Sequence, residues 1–355
     1  MKTALKAIGF VVAVVLIVVG ALVTTFVVRS GMLVDRGPEH VTACTIIDGQ
    51  NKSGEDILID RERNLALVSW MDRRGQVEGN PTPGLIGKID LSAAEPKIEV
   101  ATLADPPDLR THGMTLYIGP DGQRVLFAIS HPIGKPHRVE IFEANAEGVY
   151  EHKQTVEGDG LFKPNDIAAV GPRQFYVAND SGAKTGLEKF RESMLGAAIA
   201  QITYFDGEKF SVAYDGVAAP GGINVSPDMG TVYVAETQGH KVTAFRRDVV
   251  TGKLTHLYDI PLNSLPDNID VAADGSLWVA SHANAIALVR QFADKTKVAP
   301  TQIFRITTEG KPEAKQVFFT KGDVISAGSV AAVSNGKMLV GSITDKKILL
   351  CDEPK

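Results

Sequence analysis

The chain has 355 residues, 44% hydrophobic and 22% charged, a composition with room for a large buried core. Its formal net charge of −5 leaves no basic footprint, and aromatic residues make up only 6% of it. Both features argue against a nucleic-acid partner.

The first predicted element is a helix. Ala7 to Val28 is a 22-residue run without a charge, preceded by Lys2 and Lys6 and followed by Arg29. At about 1.5 Å per residue it spans roughly 33 Å, enough for a bilayer core. A cleaved signal is the alternative, but its apolar centre is usually shorter, and no small-x-small site follows Val28. The expected organisation is therefore a membrane anchor over residues 1–29, a connector over 30–40 and one β-propeller domain over 41–355. Lysines ahead of the run favour a cytoplasmic N-terminus, which places the body on the periplasmic or extracellular side.

Cys44 and Cys351 stand at the two ends of that body. Export favours a disulfide between them. Closing a loop of this length is worth roughly 5–6 kcal/mol in the chain-entropy treatment, as an upper figure.

From Arg61 onward a polar turn followed by a short apolar strand recurs. The copies centre on Val68, Ala128, Val177, Val234, Val279 and Val340, spaced by 60, 49, 57, 45 and 61 residues. Further strands fit between them, as at Gly87–Leu91, Arg138–Phe142, Lys241–Phe245 and Thr301–Arg305. Six units of four strands predict an all-β, six-bladed β-propeller, with a β-sandwich as the alternative. Gly79–Gly84 reads as a loop in the first blade, and no Pro/Gly/Ser-rich linker divides the body. One segment breaks the pattern. Gly186–Ala198 places Leu187, Phe190, Met194 and Leu195 on a 3.6-residue period, which predicts one short amphipathic helix over an end of the ring. It would pack on the propeller, or serve as a lid or membrane-facing element.

The sequence has no G-x-S-x-G elbow, P-loop or H-E-x-x-H motif. It has instead three pairs of oxygen donors ahead of apolar strands: Glu55-Asp56, Asn165-Asp166 and Asp267-Asn268. Each alone reads as a turn. Together, without clustered His or Cys, they suit calcium. Neighbours in an extended chain point to opposite faces, so each pair can serve two stacked ions. His112 and His131 fall in the same predicted blade and form a plausible general-base pair. His282 ends a repeat strand, and His40, His137, His152 and His256 read as surface residues.

These phrases in order resemble the serum paraoxonase/arylesterase family of calcium-dependent lactonases. The likeness runs from about Cys44 to Cys351 and includes Gly54-Glu-Asp56, His112-Gly113, His131-Pro132, Asn165–Pro172, Phe175–Asp180, Gly222–Asp228, Tyr233–Glu236, Asp267–Ile269 and Leu277–His282. The resemblance implies a disulfide-closed six-bladed propeller with two calcium ions. Glu55, Asn165, Asp267 and Asn268 match ligands of a catalytic ion. Asp56, Asp166 and the Met114 carbonyl match ligands of a structural one. His112 and His131 match a pair that activates water, and His240 and His282 match histidines with a structural or pocket role. The family also keeps an uncleaved apolar N-terminus.

One departure matters. The family has a further calcium-ligating asparagine where this chain has Gly221, and Ala219 and Pro220 beside it also diverge. Asn224 matches a different family asparagine. The expected activity is calcium-dependent hydrolysis of lactones and aryl esters, with Asp267 or Glu55 as alternative bases. The competing readings are a gluconolactonase-like or strictosidine-synthase-like enzyme, and a non-catalytic calcium-stabilised propeller. The His112/His131 pair and the terminal cysteines favour the paraoxonase side, and Gly221 favours the scaffold.

Overall fold

The computed structural model describes residues 2–354; Met1 and Lys355, the outer limits of the predicted anchor and propeller, lie outside them. Helix α1 covers Lys2–Arg29. Within it Lys6–Arg29 is long and apolar enough to cross a bilayer, with a mean hydropathy of 3.0, and it is not buried against the rest of the chain. Every turn of it is apolar, so it has no polar face to offer water.

The body is a six-bladed propeller of antiparallel four-stranded sheets. After β1 (Cys44–Asp48), blade one holds β2 (Ser53–Asp60), β3 (Leu65–Met71), β4 (Leu85–Asp90) and β5 (Ile98–Val100), with α2 (Arg73–Val77) after β3. Blade two holds β6 (Thr111–Ile118), β7 (Arg124–Ser130), β8 (Arg138–Ala144) and β9 (Tyr150–Glu157). Blade three holds β10 (Pro164–Ala169), β11 (Phe175–Asn179), β12 (Ala200–Phe205) and β13 (Phe210–Val217), with α3 (Gly186–Leu195) after β11. Blade four holds β14 (Pro220–Val225), β15 (Thr231–Glu236), β16 (Lys241–Arg247) and β17 (Leu254–Pro261). Blade five holds β18 (Leu265–Val271), β19 (Leu277–His282), β20 (Thr301–Thr307) and β21 (Glu313–Thr320), with α4 (Ala285–Ala293) after β19. Blade six holds β22 (Gly328–Ser334), β23 (Lys337–Ser342) and β24 (Lys347–Asp352), and β1 completes it as the fourth strand.

The recurring apolar residues of the sequence all lie in second strands, and all six reference positions are fully buried. They are buried because each second strand is covered by blades on both sides. Phe127 of blade two, for example, packs with Phe175 and Val177 of blade three. A strand covered on both faces reads as a continuous apolar run rather than an alternation.

The short helices differ from expectation in number and in orientation. Three, not one, join the second strand of a blade to its third: α2, α3 and α4. In an antiparallel blade that connection lies at the end where the first strand begins. All three helices therefore stand on one face of the ring. Helix α3 is tightly capped, by a Thr185–Glu188 capping box and by Gly196 in the left-handed conformation at φ +65°. Its apolar side is not its buried side. Leu187 is 70% exposed, whereas Glu192 is buried and accepts from the Ser181 hydroxyl at 2.5 Å and the Gly182 N–H at 3.0 Å.

The chain after α1 lies along this same face. The Ser30 carbonyl accepts from the Ala285 N–H, which starts α4, and Arg36 donates to the Ala283 carbonyl at 2.9 Å. Arg29 reaches the Gln238 carbonyl.

Ring closure is both hydrogen-bonded and covalent. β1 pairs antiparallel with β24, Cys44 lies opposite Cys351, and the two form a disulfide across a sequence separation of 307. A Cys44→Ser/Cys351→Ser variant is expected to lose about 2–5 kcal/mol of stability in denaturant unfolding. An unchanged unfolding midpoint would mean that the strand pairing alone holds the ring.

Candidate active site

The six inner strands are β2, β6, β10, β14, β18 and β22, and each carries a one-residue register slip near its start. The slips fall between Gly54 and Ile57, Thr111 and Met114, Pro164 and Asp166, Pro220 and Gly222, Pro266 and Ile269, and Gly328 and Val330. A bulge leaves a residue out of the ladder and re-aims its side chain. The residues released here are Glu55-Asp56, His112-Gly113, Asn165, Gly221, Asp267-Asn268 and Ser329. Five of the six predicted donors thus sit in backbone irregularities, Asp166 staying in the ladder opposite Ala178, and the fold brings all three pairs to the axis.

Much of the inner shell is spent tying blades together. Asp56 accepts from the Met114 N–H at 2.7 Å, and Asp166 from the Ile223 N–H at 2.7 Å. Met114 is itself buried. The Asn268 amide donates to the Glu55 carbonyl and carboxylate, both at 3.1 Å, and the Ser329 hydroxyl donates to the Glu55 carbonyl at 2.6 Å. Asn224 donates to the Ile269 carbonyl at 2.8 Å, so it is bound within the ring wall.

Charge accumulates at the axis. Glu55, Asp56, Asp166 and Asp267 are all buried. Burial pushes the pKa of each upward, and for Asp56 and Asp166 far upward, with neighbouring carboxylates adding to the shift. The guanidinium set against them is Arg73 of α2, 3.4 Å from Glu55 and 2.5 Å from the Thr111 carbonyl. Asp267 also meets His282 at 2.9 Å. Two amide oxygens, Asn165 Oδ1 and Asn268 Oδ1, are buried with no protein partner. Among the described residues no group of three or more Asp, Glu, His or Cys side chains is arranged to hold a metal by itself. A cation at the axis would draw on these amide oxygens together with the carboxylates, a hard-oxygen donor set of the kind calcium takes. The residues present fit such an ion.

Histidines form a chain beside the carboxylates. His112 Nδ1 lies 2.9 Å from His131 Nε2, and His131 Nδ1 lies 2.9 Å from His137 Nδ1. His137 is therefore part of this chain and not the isolated surface residue that its polar surroundings suggest. His112 Nε2 faces Glu55 at 3.8 Å. Burial keeps His112 well below the ordinary imidazole range, and burial with the adjacent His112 and His137 brings His131 down to about 2. His152 also departs from the surface expectation, because it pairs with buried Glu140 at 2.8 Å. His240 donates through Nδ1 to the Ser264 carbonyl at 3.0 Å, a structural contact.

A cavity of about 510 Å³ opens over the carboxylates, with Glu55, His112, Asn165 and Asp267 at its floor and Leu288, Phe292, Ile343 and Pro220 among its walls. A larger groove, about 910 Å³, runs along the flank of blade three beside α3 and touches none of the axial carboxylates. Size alone does not mark the site. Arg73 and the α4 residues Leu288 and Phe292 have no motif in the sequence. Asp180 is the exception in part: it belongs to an amide–carboxylate pair, Asn179-Asp180, of the same kind as Asn165-Asp166, and it bonds to Asn165.

A family model described as arylesterase matches residues 39–353. Human serum paraoxonase/arylesterase 2 is 31% identical over 309 residues, covering 84% of this chain and 86% of that protein. Human serum paraoxonase/arylesterase 1 is 29% identical over 335 residues, covering 92% and 93%. Among solved structures, a gluconolactonase from Xanthomonas campestris superimposes with a TM-score of 0.52 at 14% identity, covering 91% of this chain and 99% of that one. The calcium-binding protein regucalcin from Agrobacterium tumefaciens gives 0.52 at 13%, covering 89% and 96%. At such identities these two likenesses speak for the fold.

The raised carboxylate pKa values set a pH dependence for protein stripped of divalent ions. A folded state that holds its carboxyl protons more tightly than the unfolded chain loses stability as pH rises through the ordinary carboxylate range and beyond. Chelator-treated protein is expected to melt at a higher temperature at about pH 7 than at about pH 9, above the range in which the buried neutral His112 and His131 oppose the trend, and the reverse of a chain stabilised by salt-bridged acids. A melting temperature that rises steadily with pH would contradict the charge surplus at the axis.

Proposed function

Because the chain belongs to the arylesterase family, we propose that it is a membrane-anchored, calcium-dependent hydrolase of lactones and aryl esters. The observation that carries this reading is the axial cluster of four buried carboxylates and two unpartnered amide oxygens. When all four acids ionise against Arg73, three negative charges stay uncompensated. That exceeds what one divalent ion neutralises, and it supports two.

Glu55, Asn165, Asp267 and Asn268 would hold the catalytic ion. Asp56, Asp166 and the Met114 carbonyl would hold the structural one. Bound in the first place, calcium supplies Lewis-acid polarisation of an ester carbonyl and charge to match the oxyanion. The protein's own part is positioning and proton transfer. Leu288, Phe292 and Ile343 exclude water around the acyl chain. His112, neutral because it is buried, accepts a proton from the attacking water at Nε2. Its Nδ1, held by His131, sets the tautomer, and His137 extends the chain outward.

The depressed basicity of His112 favours a second assignment, in which Asp267, bonded to His282, takes the proton instead. A His112→Gln variant separates the two. Under the histidine assignment kcat on a lactone panel falls by about 10²–10⁴-fold while calcium affinity stays unchanged. Retained lactonase activity transfers the role to the carboxylate. EDTA is expected to abolish turnover in both cases, and a chain that binds one calcium and turns over no lactone is the non-catalytic scaffold.

Helix α1 would cross the membrane with the propeller exported, an orientation that the Cys44–Cys351 disulfide supports through its need for an oxidising compartment. Protease added outside intact cells, with the outer envelope permeabilised, should digest the propeller and leave the N-terminus protected. Full protection of the propeller would reverse the topology.

A further inference from the structure

The six bulges are not equivalent. Five release at least one polar side chain toward the axis, whereas β14 releases Gly221, which has none. The space is not vacant. A Cβ built on Gly221 would lie 2.7 Å from Thr237 Oγ1 and 2.8 Å from Asp267 Oδ1. A hydroxyl from the turn after β15 and a carboxylate oxygen from β18 therefore converge on the place that a β14 side chain would fill.

Thr237 is held there. Its N–H donates to the Ala219 carbonyl at 3.2 Å, and the Gln238 N–H donates to the Ala218 carbonyl at 3.1 Å, clamping the turn across the entry to β14. Ala219 has φ +46°, an uncommon conformation for a residue with a side chain, and it brings that entry close to the turn. The Thr237 hydroxyl donates its proton to the Pro266 carbonyl at 2.7 Å. A hydroxyl that has given its proton still has two lone pairs to offer. Asp267 is similarly divided: Oδ2 is engaged by His282, and Oδ1 is the oxygen that faces Thr237. Thr237 lines the same cavity as Glu55, Asn165 and Asp267.

We infer that the Thr237 hydroxyl is a ligand of the ion bound by Glu55, Asn165, Asp267 and Asn268, replacing from the turn after β15 the donor that β14 lacks. The assignment rests on the calcium reading above. It makes the shell of this chain different in origin but not short by one oxygen, and it explains why glycine stands at 221: any larger residue there would collide with the replacement ligand.

The test is calcium affinity, independent of turnover. Full-length protein in detergent is stripped with chelator and titrated with calcium against a chromophoric chelator. Wild type is expected to bind two ions. Thr237→Val should weaken one of them by about tenfold or more and leave the other unchanged. Thr237→Ser should bind both as wild type does. With terbium in place of calcium, luminescence decay in H₂O and D₂O should count one additional bound water in Thr237→Val. Circular dichroism and the melting temperature of the stripped proteins establish that the variants fold. Wild-type affinity and hydration in Thr237→Val overturn the assignment, as does a Thr237→Ser variant that loses as much as Thr237→Val. A wild-type chain that binds no calcium overturns the calcium reading and this ligand with it.

Discussion

Mutual repulsion of carboxylates buried at the axis is the constraint on which the rest of this molecule depends. Glu55, Asp56, Asp166 and Asp267 come from blades one, three and five, so the repulsion acts between blades as well as within blade one. Burial of an unpaired carboxylate is costly enough that the group protonates or finds a counter-charge. The ring supplies partial answers: backbone N–H groups from neighbouring blades for Asp56 and Asp166, Arg73 for Glu55 and His282 for Asp267. The answers for Asp56 and Asp166 cross from one blade to the next, so these groups also brace the blades. A cation would add to this bracing rather than create it.

The propeller was legible in the sequence because second strands are covered on both faces and so keep an unbroken apolar run. The donor pairs were legible because Asn, Asp and Pro repeat at equivalent strand starts, and the terminal cysteines because the fold returns to its origin. The functional helices were not. Helix α2 has five residues and carries Arg73, and nothing in Met71-Asp72-Arg73-Arg74 distinguishes a site cation from a solvated loop. Helix α3 was found, but its orientation was not. Periodicity locates an apolar stripe without saying what covers it, and here Glu192 is the residue that anchors the helix. Thr237 and His137 were missed for a different reason: the role of each depends on a contact that spacing does not show, Thr237 with Pro266 of β18 and His137 with His131 across the β7–β8 loop.

The placement of chemistry on one face follows from strand direction. First strands begin at that face, second-to-third connections lie on it, and the chain leaving α1 is bonded to it at Ser30 and Arg36. A single topological fact therefore sets the bulges, the three helices and the anchor side by side. The apolar flank of α3, with Leu187 and Phe190 turned outward, stands next to the end of a helix long enough to span a bilayer. The cavity over the axial carboxylates lies on this face too, lined by Arg73 and Val77 of α2 and by Leu288 and Phe292 of α4.

Closure of the last blade by β1 also has a consequence in time. β1 is made first, and its partner β24 last, 307 residues apart at the disulfide. At about 5–20 residues per second, synthesis leaves β1 waiting on the order of 15–60 s with an unpaired edge and a free Cys44 thiol. Until β24 arrives, blade six cannot exist and the ring stays open. Throughout that interval the waiting strand remains within a short stretch of chain from α1, so the nascent protein would be held at a surface, away from other copies of the same exposed edge.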